Sequence, residues 1–361
     1  MHYGSERTFG SRIDDGWKYR GVDAVIIENE LLRAILLPGK GADVYSLVHK
    51  PTDTEFLWRS PWGVRNPATY VPGSPDPGQV WIDYYEGGWQ TIVPNGGNPA
   101  SYKGASFGQH GDVSLMPWDC TITEDTEEKV SARFFVRMAR MPLTVTKEVF
   151  LEAGSASLVM RDVVTNVSKE EIPIVFGQHL AFGSPFLSGD CVLDIPGGTV
   201  NTHPVAYSEN HRWKAGSSTE WPKSVLADGG EESLREVPAE GAGYDDQAYI
   251  TQMPEGWCAI TNTQIGLGLA VTWPVDVFKC LWYWQMFSGG EGYPWWGRTY
   301  SCGLEPFTSY PNTGLAEAIE NGTAHILKGE SSLETEVTAT AFASKQGVKQ
   351  VSSGGRVTTL D

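Results

Sequence analysis

Short apolar runs separated by turn-forming residues recur along most of the chain. From Ala24 the sequence reads AVIIENELLRAILLPGKGADVYSLVHK, in which glycine, proline and charged residues separate apolar runs of strand length. Between Leu143 and Leu151, odd-numbered residues share one face of a predicted strand and even-numbered residues share the other. Both faces are partly apolar, which is typical of a sheet that packs against a second sheet.

Helical periodicity is rare by comparison. The best candidate is the segment TGLAEAIENG from Thr313, which Gly322 can end. One helix of this length cannot cover a large sheet, so the pattern predicts an all-β fold. Neither a long linker-like segment nor a fixed repeat divides the chain. We therefore predict a single domain over residues 1–361, with loosely held tails at about residues 1–21 and 346–361.

The composition agrees with the all-β prediction and limits the partners. The chain contains 41 glycines, 22 prolines, 14 tryptophans, 14 tyrosines and 13 phenylalanines, a set that favours turns and strands. Its 27 basic and 44 acidic residues give a formal net charge of -17, which repels phosphate backbones and anionic lipids. We expect no nucleic-acid or membrane partner. Because the N-terminus lacks an apolar leader and no apolar run could span a bilayer, we expect a cytoplasmic protein.

Standard cofactor motifs are absent from the sequence. The segment GLGLAV from Gly266 lacks the third glycine of a dinucleotide loop and lies in a strand-like run. The five cysteines are widely spaced and odd in number, which predicts neither a complete disulfide framework nor a zinc knuckle. We expect chemistry that uses the protein's own side chains, without a metal or cofactor.

Four segments combine polar residues with glycine and aromatic residues: Glu86–Gly97, Phe107–Trp118, Phe176–Gly183 and Leu281–Pro311. A pocket for a neutral sugar needs this mixture, because aromatic faces contact C–H groups while a few polar groups bind the hydroxyls. Within these segments the candidate substrate-binding residues are Trp89, Asn95, Gln109, Trp296 and Arg298.

Two histidines and one glutamate are the candidate catalytic residues. His110 and His179 each end a Gly-Gln-His triplet, and Glu305 lies in the segment GLEP. A single buried histidine is more often a hydrogen-bonded core residue, and an ion pair with Arg298 is the competing interpretation of Glu305. Interconversion of sugar anomers requires a base at the C1 hydroxyl and an acid at the ring oxygen. A glutamate and a histidine on opposite sides of the ring would suffice without a cofactor.

Several short motifs follow one another in the order typical of one family. They include QHGD, FGQHLAFG, GYDDQAYIT, GLEP and LKGESSLETEVTATAF. With them, the chain resembles the aldose 1-epimerase (galactose mutarotase-like) superfamily over about Val25–Phe342. The resemblance implies a β-supersandwich of large antiparallel sheets.

The resemblance also implies roles for individual residues. Glu305 would be the base at O1 and His179 the acid at the ring oxygen, with His110 bound near the ring. Asp245 would bind sugar hydroxyls, and the adjacent Asp246 is the alternative if the match slips by one position. Where the family's better-known members have an Asn-Arg pair, this chain has Asn95-Gly96. The arginine contact is therefore assigned to Arg298.

The resulting hypothesis is an aldose 1-epimerase-like enzyme that acts on a free small-molecule sugar as a monomer or homodimer. It predicts a bell-shaped pH profile controlled by one carboxylate and one imidazole. The alternatives are a hexose-phosphate 1-epimerase, a lyase or hydrolase on a modified sugar, and a non-catalytic sugar-binding protein.

Overall fold

A computed structural model describes residue 7 and residues 9–361 of the chain, so the predictions for residues 1–6 and 8 lie outside the described residues. The described part forms 28 strands, two short α-helices and 3₁₀ turns at Lys50–Thr52 and Val113–Leu115. The helices are α1 (Pro77–Tyr84) and α2 (Leu315–Glu320). In chain order the strands are β1 (Arg12–Tyr19), β2 (Val22–Glu28), β3 (Leu32–Leu37), β4 (Asp43–His49), β5 (Thr54–Glu55), β6 (Trp89–Ile92), β7 (Ala100–Tyr102), β8 (Ala105–Phe107), β9 (Asp119–Asp125), β10 (Lys129–Arg137), β11 (Leu143–Glu152), β12 (Ser157–Asn166), β13 (Ile172–Ile174), β14 (Gly177–Gly183), β15 (Cys191–Asp194), β16 (Thr199–Thr202), β17 (Ser218–Glu220), β18 (Lys223–Val225), β19 (Glu231–Ser233), β20 (Tyr244–Thr251), β21 (Trp257–Asn262), β22 (Leu267–Thr272), β23 (Cys280–Phe287), β24 (Tyr300–Phe307), β25 (His325–Leu327), β26 (Ser331–Ala343), β27 (Val348–Val351) and β28 (Val357–Thr359).

Two large antiparallel sheets dominate the fold, as the sequence predicts. The first has the order β1-β2-β3-β4-β6-β14-β24-β23-β20-β16-β17, with β5 paired to β4. The second has the order β15-β21-β22-β26-β12-β11-β10-β9. Four two-stranded pairs complete the described part: β7-β8, β13-β25, β18-β19 and β27-β28. The fold is therefore all-β with large antiparallel sheets.

Apolar side chains from both large sheets form one continuous core. Leu36 and Leu180 enter it from the first sheet, and Val145 and Val337 enter it from the second. Burial of such side chains is the main favourable term in folding. Lys147 lies on the same face of β11 as Val145 and is also buried, and its Nζ donates a hydrogen bond to the Ala42 carbonyl at 3.0 Å. This bond offsets part of the cost of burying the ammonium group.

Both segments that we expected to be loosely held take part in strand pairing. Strand β1 pairs with β2 along most of its length. At the other end, β27 and β28 form a hairpin, and Val348 and Val351 are buried beside Trp257. Alternating polar and apolar residues in these short segments are a weak signal in the sequence, and long-range packing decides their structure.

Helix α2 lies within the segment predicted from Thr313, whereas α1 was not predicted. The α1 helix begins after Asp76, whose carboxylate accepts hydrogen bonds from the amides of Gly78 (2.8 Å) and Gln79 (3.3 Å). Pro77 occupies the first turn, where proline is well tolerated. Eight residues cover only about two turns, too few to show a clear helical period.

Over residues 7 and 9–361, the structure contains no helix of the length and apolar character that a membrane span requires.

Candidate active site

Four adjacent strands of the first sheet, β14, β24, β23 and β20, form the floor of a cavity. Ala181 of β14 pairs with Gly303 of β24, so His179 lies beside Glu305 in the next row of the sheet. Glu305 in turn pairs with Trp282 of β23. Because neighbouring strands are about 4.8 Å apart and alternate residues share a face, these three side chains project into the same space.

The cavity has a volume of about 470 Å³, including its open mouth. Helix α1, the residue that follows it and four loops contribute the rest of the lining. The lining residues are Trp81, Ile82, Tyr85, Gln109, His110, His179, Tyr207, Asp245, Gln247, Trp282, Trp284, Met286, Trp295, Glu305 and Asn312.

Glu305 and His179 approach each other at the floor of this cavity. The distance from Glu305 Oε1 to His179 Nε2 is 3.6 Å, and both side chains are buried. Burial raises the pKa of Glu305 well above its usual value and lowers the pKa of His179 to about 3. Both groups are therefore favoured in their neutral forms, with the transferable proton on the Glu305 carboxyl group and not on His179.

Gly303 provides the space that the Glu305 carboxyl group occupies. It lies two residues before Glu305 on the same strand face, and a Cβ atom at this position would collide with Glu305 Oε1. The φ angle of Gly303 is not in the left-handed region, so the requirement is steric rather than conformational. A glycine here lets the carboxyl group lie over the backbone of its own strand.

His110 reaches the same cavity from the loop between β8 and β9. Its Nδ1 accepts a hydrogen bond from the Gly97 amide at 3.2 Å, which leaves the proton of the neutral ring on Nε2. Burial and the neighbouring His179 lower the pKa of His110 well below its usual value. The two imidazole centroids are 4.8 Å apart. The two Gly-Gln-His triplets therefore bring their histidines to one site.

Asp245 lines the cavity from β20, whereas Asp246 faces the opposite side of the sheet. Burial raises the pKa of Asp245 to about 7, and its Oδ1 has no hydrogen-bond partner in the described protein. Asp246 instead binds Arg212, whose Nε lies 2.6 Å from Oδ2. Of the two aspartates considered from the sequence, Asp245 is the one available to a ligand.

Two of the predicted substrate-binding residues are structural. The Asn95 amide nitrogen donates to the carbonyls of Asn98 (2.9 Å) and Gly108 (2.8 Å), and its oxygen accepts from the Leu315 amide at 2.7 Å. Asn95 therefore holds three backbone segments together beside the cavity. Trp89 is buried in the core, where its indole donates to Gln178 Oε1 at 2.8 Å.

Two further candidates lie outside the cavity. Trp296 is 63% exposed, and Arg298 is also on the surface. Within the described residues, Arg298 makes no ion pair with Glu305 and does not line the cavity. The contact of Arg298 with a sugar stays a prediction. Gln109 is the remaining candidate, and it does line the cavity.

Several lining residues were not selected from the sequence. Trp81 and Tyr85 come from α1 and the residue that follows it, and this helix was not predicted. Gln247 could have been found, because it is two residues from Asp245 and shares its face of β20. Tyr207 and Asn312 lie in loops, and no local pattern marks their approach to the cavity.

The described cavity lining contains carboxyl groups but no lysine or arginine. Its ionisable residues are Asp245, Glu305, the two histidines and the tyrosines. No group of three or more His, Cys, Asp or Glu side chains within residues 7 and 9–361 could hold a metal ion.

The fold is similar to that of solved aldose 1-epimerase and galactose mutarotase-like structures. A candidate aldose 1-epimerase from Klebsiella pneumoniae has a TM-score of 0.71 and 17% identity, over 92% of this chain and 83% of that one. A galactose mutarotase related enzyme from Lactobacillus acidophilus has a TM-score of 0.58 and 15% identity, over 91% and 100%. A galactose mutarotase-like protein from Clostridium acetobutylicum has a TM-score of 0.60 and 12% identity, over 92% and 99%. These similarities confirm the fold.

The chain belongs to the DUF4432 family, described as a domain of unknown function, which matches residues 19–341. No curated protein matches the sequence significantly.

Proposed function

We propose that this protein is an aldose 1-epimerase-like enzyme that interconverts the anomers of a free aldose. The observation that carries the proposal is the Glu305–His179 pair, with 3.6 Å between Oε1 and Nε2, at the floor of an aromatic cavity. The reaction needs one acid and one base within reach of a single sugar ring. This pair supplies both.

The proposed cycle conserves one proton on the pair. In ring opening, the carboxylate of Glu305 takes the proton of the C1 hydroxyl while protonated His179 gives its proton to the ring oxygen. Rotation about the C1–C2 bond then exposes the other face of the aldehyde. Closure reverses both proton transfers and restores the starting charges. Each group therefore acts once as an acid and once as a base.

This cycle starts from an ion pair of Glu305 and His179. Burial disfavours that ion pair, because it favours the neutral form of both side chains. A proton must therefore pass from Glu305 to His179 when the sugar binds. Sugar hydroxyls that donate to the carboxylate favour its charged form, and a neighbouring donor such as His110 Nε2–H can do the same. In this account, the substrate contributes to the activation of the pair.

The lining charges support a free aldose over a hexose phosphate. A phosphate dianion is usually bound by arginine or lysine, and the described lining contains neither.

NMR measurement of anomer exchange tests the proposal. The substrates are free aldoses, the corresponding uronic acids and the corresponding 6-phosphates. We expect the protein to accelerate exchange of at least one free aldose more than that of its 6-phosphate. If the protein accelerates anomer exchange of a 6-phosphate alone, the substrate is a hexose phosphate and not a free aldose. If it accelerates anomer exchange of no sugar, the epimerase proposal is refuted.

A further inference from the structure

A chain of aromatic contacts closes the cavity on one side. Trp295 joins the floor to the covering segments, because its ring centroid lies 5.4 Å from that of Trp284 and 6.3 Å from that of Trp58. Trp58 continues to Tyr85 at 5.4 Å, and Tyr85 reaches His179 at 5.2 Å. These rings form a side wall of the cavity that runs from Trp284 on β23 to His179 on β14. Within this wall, Trp295 connects Trp284 to Trp58.

The loop that carries Trp295 is fixed at several points. The Tyr293 hydroxyl donates to Asp83 Oδ1 of α1 at 2.8 Å, and the Asn210 amide donates to the Gly289 carbonyl at 2.6 Å. A Cβ atom on Gly290 would lie 2.6 Å from atoms of the Trp295 side chain. The indole therefore lies against the backbone of its own loop.

Trp295 is at the mouth of the cavity rather than at its floor. It is half-buried, whereas Trp282, Glu305 and His179 on the floor are each at most 5% exposed. A sugar whose C1 reaches the floor pair directs O4, across the ring from C1, away from the floor, while O6 extends from the ring on the C6 arm beside the ring oxygen. A second sugar ring joined at either oxygen would meet the covering wall.

We propose that Trp295 restricts the substrate to a single sugar ring. The inference rests on the proposed epimerase function, because that function requires C1 at Glu305 and His179. Trp295, on the loop after β23, is in this proposal a residue that determines substrate specificity. The alanine variant replaces the indole with a methyl group and opens the side wall, so a second ring gains room.

The experiment compares anomer exchange of glucose with that of maltose and melibiose, in which O4 and O6 respectively carry the second ring. For the wild type we expect glucose to react at least about tenfold faster than either disaccharide, which is a common magnitude for exclusion by pocket shape. In Trp295→Ala, the disaccharide-to-glucose ratio should rise at least about tenfold for one of the two. Trp17→Ala, which removes an indole that is 56% exposed on β1, should leave the ratio unchanged.

An unchanged ratio in Trp295→Ala, or a wild type that treats both sugar sizes alike, would overturn the proposal. Trp295→Phe keeps an aromatic wall and should give an intermediate ratio, which guards against a folding defect in the alanine variant. Saturation-transfer NMR measures binding of the same sugars without turnover. If no variant accelerates anomer exchange of any sugar, the epimerase proposal fails. Binding of maltose or melibiose to Trp295→Ala but not to the wild type would still support the size limit. Equal disaccharide binding by both proteins would refute it.

Discussion

Replacement of Asp245 by asparagine should change how stability depends on pH. Burial raises the pKa of this carboxyl group from an ordinary value of 3.8 to about 7 in the folded protein. Between these pH values the unfolded chain has lost the proton and the folded protein still holds it, so the wild type becomes less stable as pH rises. The full difference corresponds to about 4 kcal/mol. Asparagine has the same shape but does not titrate.

Urea unfolding at about pH 5 and about pH 8 measures the effect. The stability of Asp245→Asn relative to the wild type should increase by about 2–3 kcal/mol over this interval, because most of the titration lies within it. Asp15→Asn is the control, since Asp15 is exposed on β1 and should show no comparable change. A stability difference that stays constant within about 0.5 kcal/mol, or that falls toward alkaline pH, would refute the assignment of Asp245 as a buried, neutral carboxyl group.

Two further predictions concern the catalytic pair. In the Asp245→Asn background, kcat/KM should remain flat from about pH 5 to about pH 7, because His179 with a pKa of about 3 takes up no proton in this range. A decline of kcat/KM toward acidic pH, with a midpoint near pH 6.5, would instead show a histidine with an ordinary pKa. Gly303→Ala should lower kcat by at least about tenfold, because the new Cβ displaces the Glu305 carboxyl group, and small misplacements of a catalytic group can cost about 100-fold. Gly354→Ala, at a glycine with open space around it, is the matched control for rate and thermal stability, and equal rates for the two variants would contradict the steric argument.

The sheet architecture was predictable because its signals are local. Alternation along β11, and the turn residues between short apolar runs, follow directly from strand geometry. The short α1 helix was not predictable in the same way. Its N-terminal signals, Asp76 and Pro77, were present, but two turns give little periodicity, and the proline-rich sequence before it reads as a loop.

The catalytic candidates were easier to find than the binding residues. His179 and Glu305 are the ionisable carboxyl and imidazole residues within largely apolar, buried strands, which is unusual in any sheet. Trp89 and Asn95 also look functional from their surroundings. Whether such a side chain enters the cavity, the core or a loop junction depends on strand register and on loops that meet only in the folded chain. The position of each of these side chains therefore follows from the structure and not from the sequence.

Exchange measurements on Glu305→Gln test the central claim most directly. Glutamine keeps the size of the side chain but can neither take nor give the proton, so anomer exchange should fall by at least about 100-fold while sugar binding and thermal stability persist. A Glu305→Gln protein that accelerates exchange within a few-fold of the wild-type rate would contradict the account.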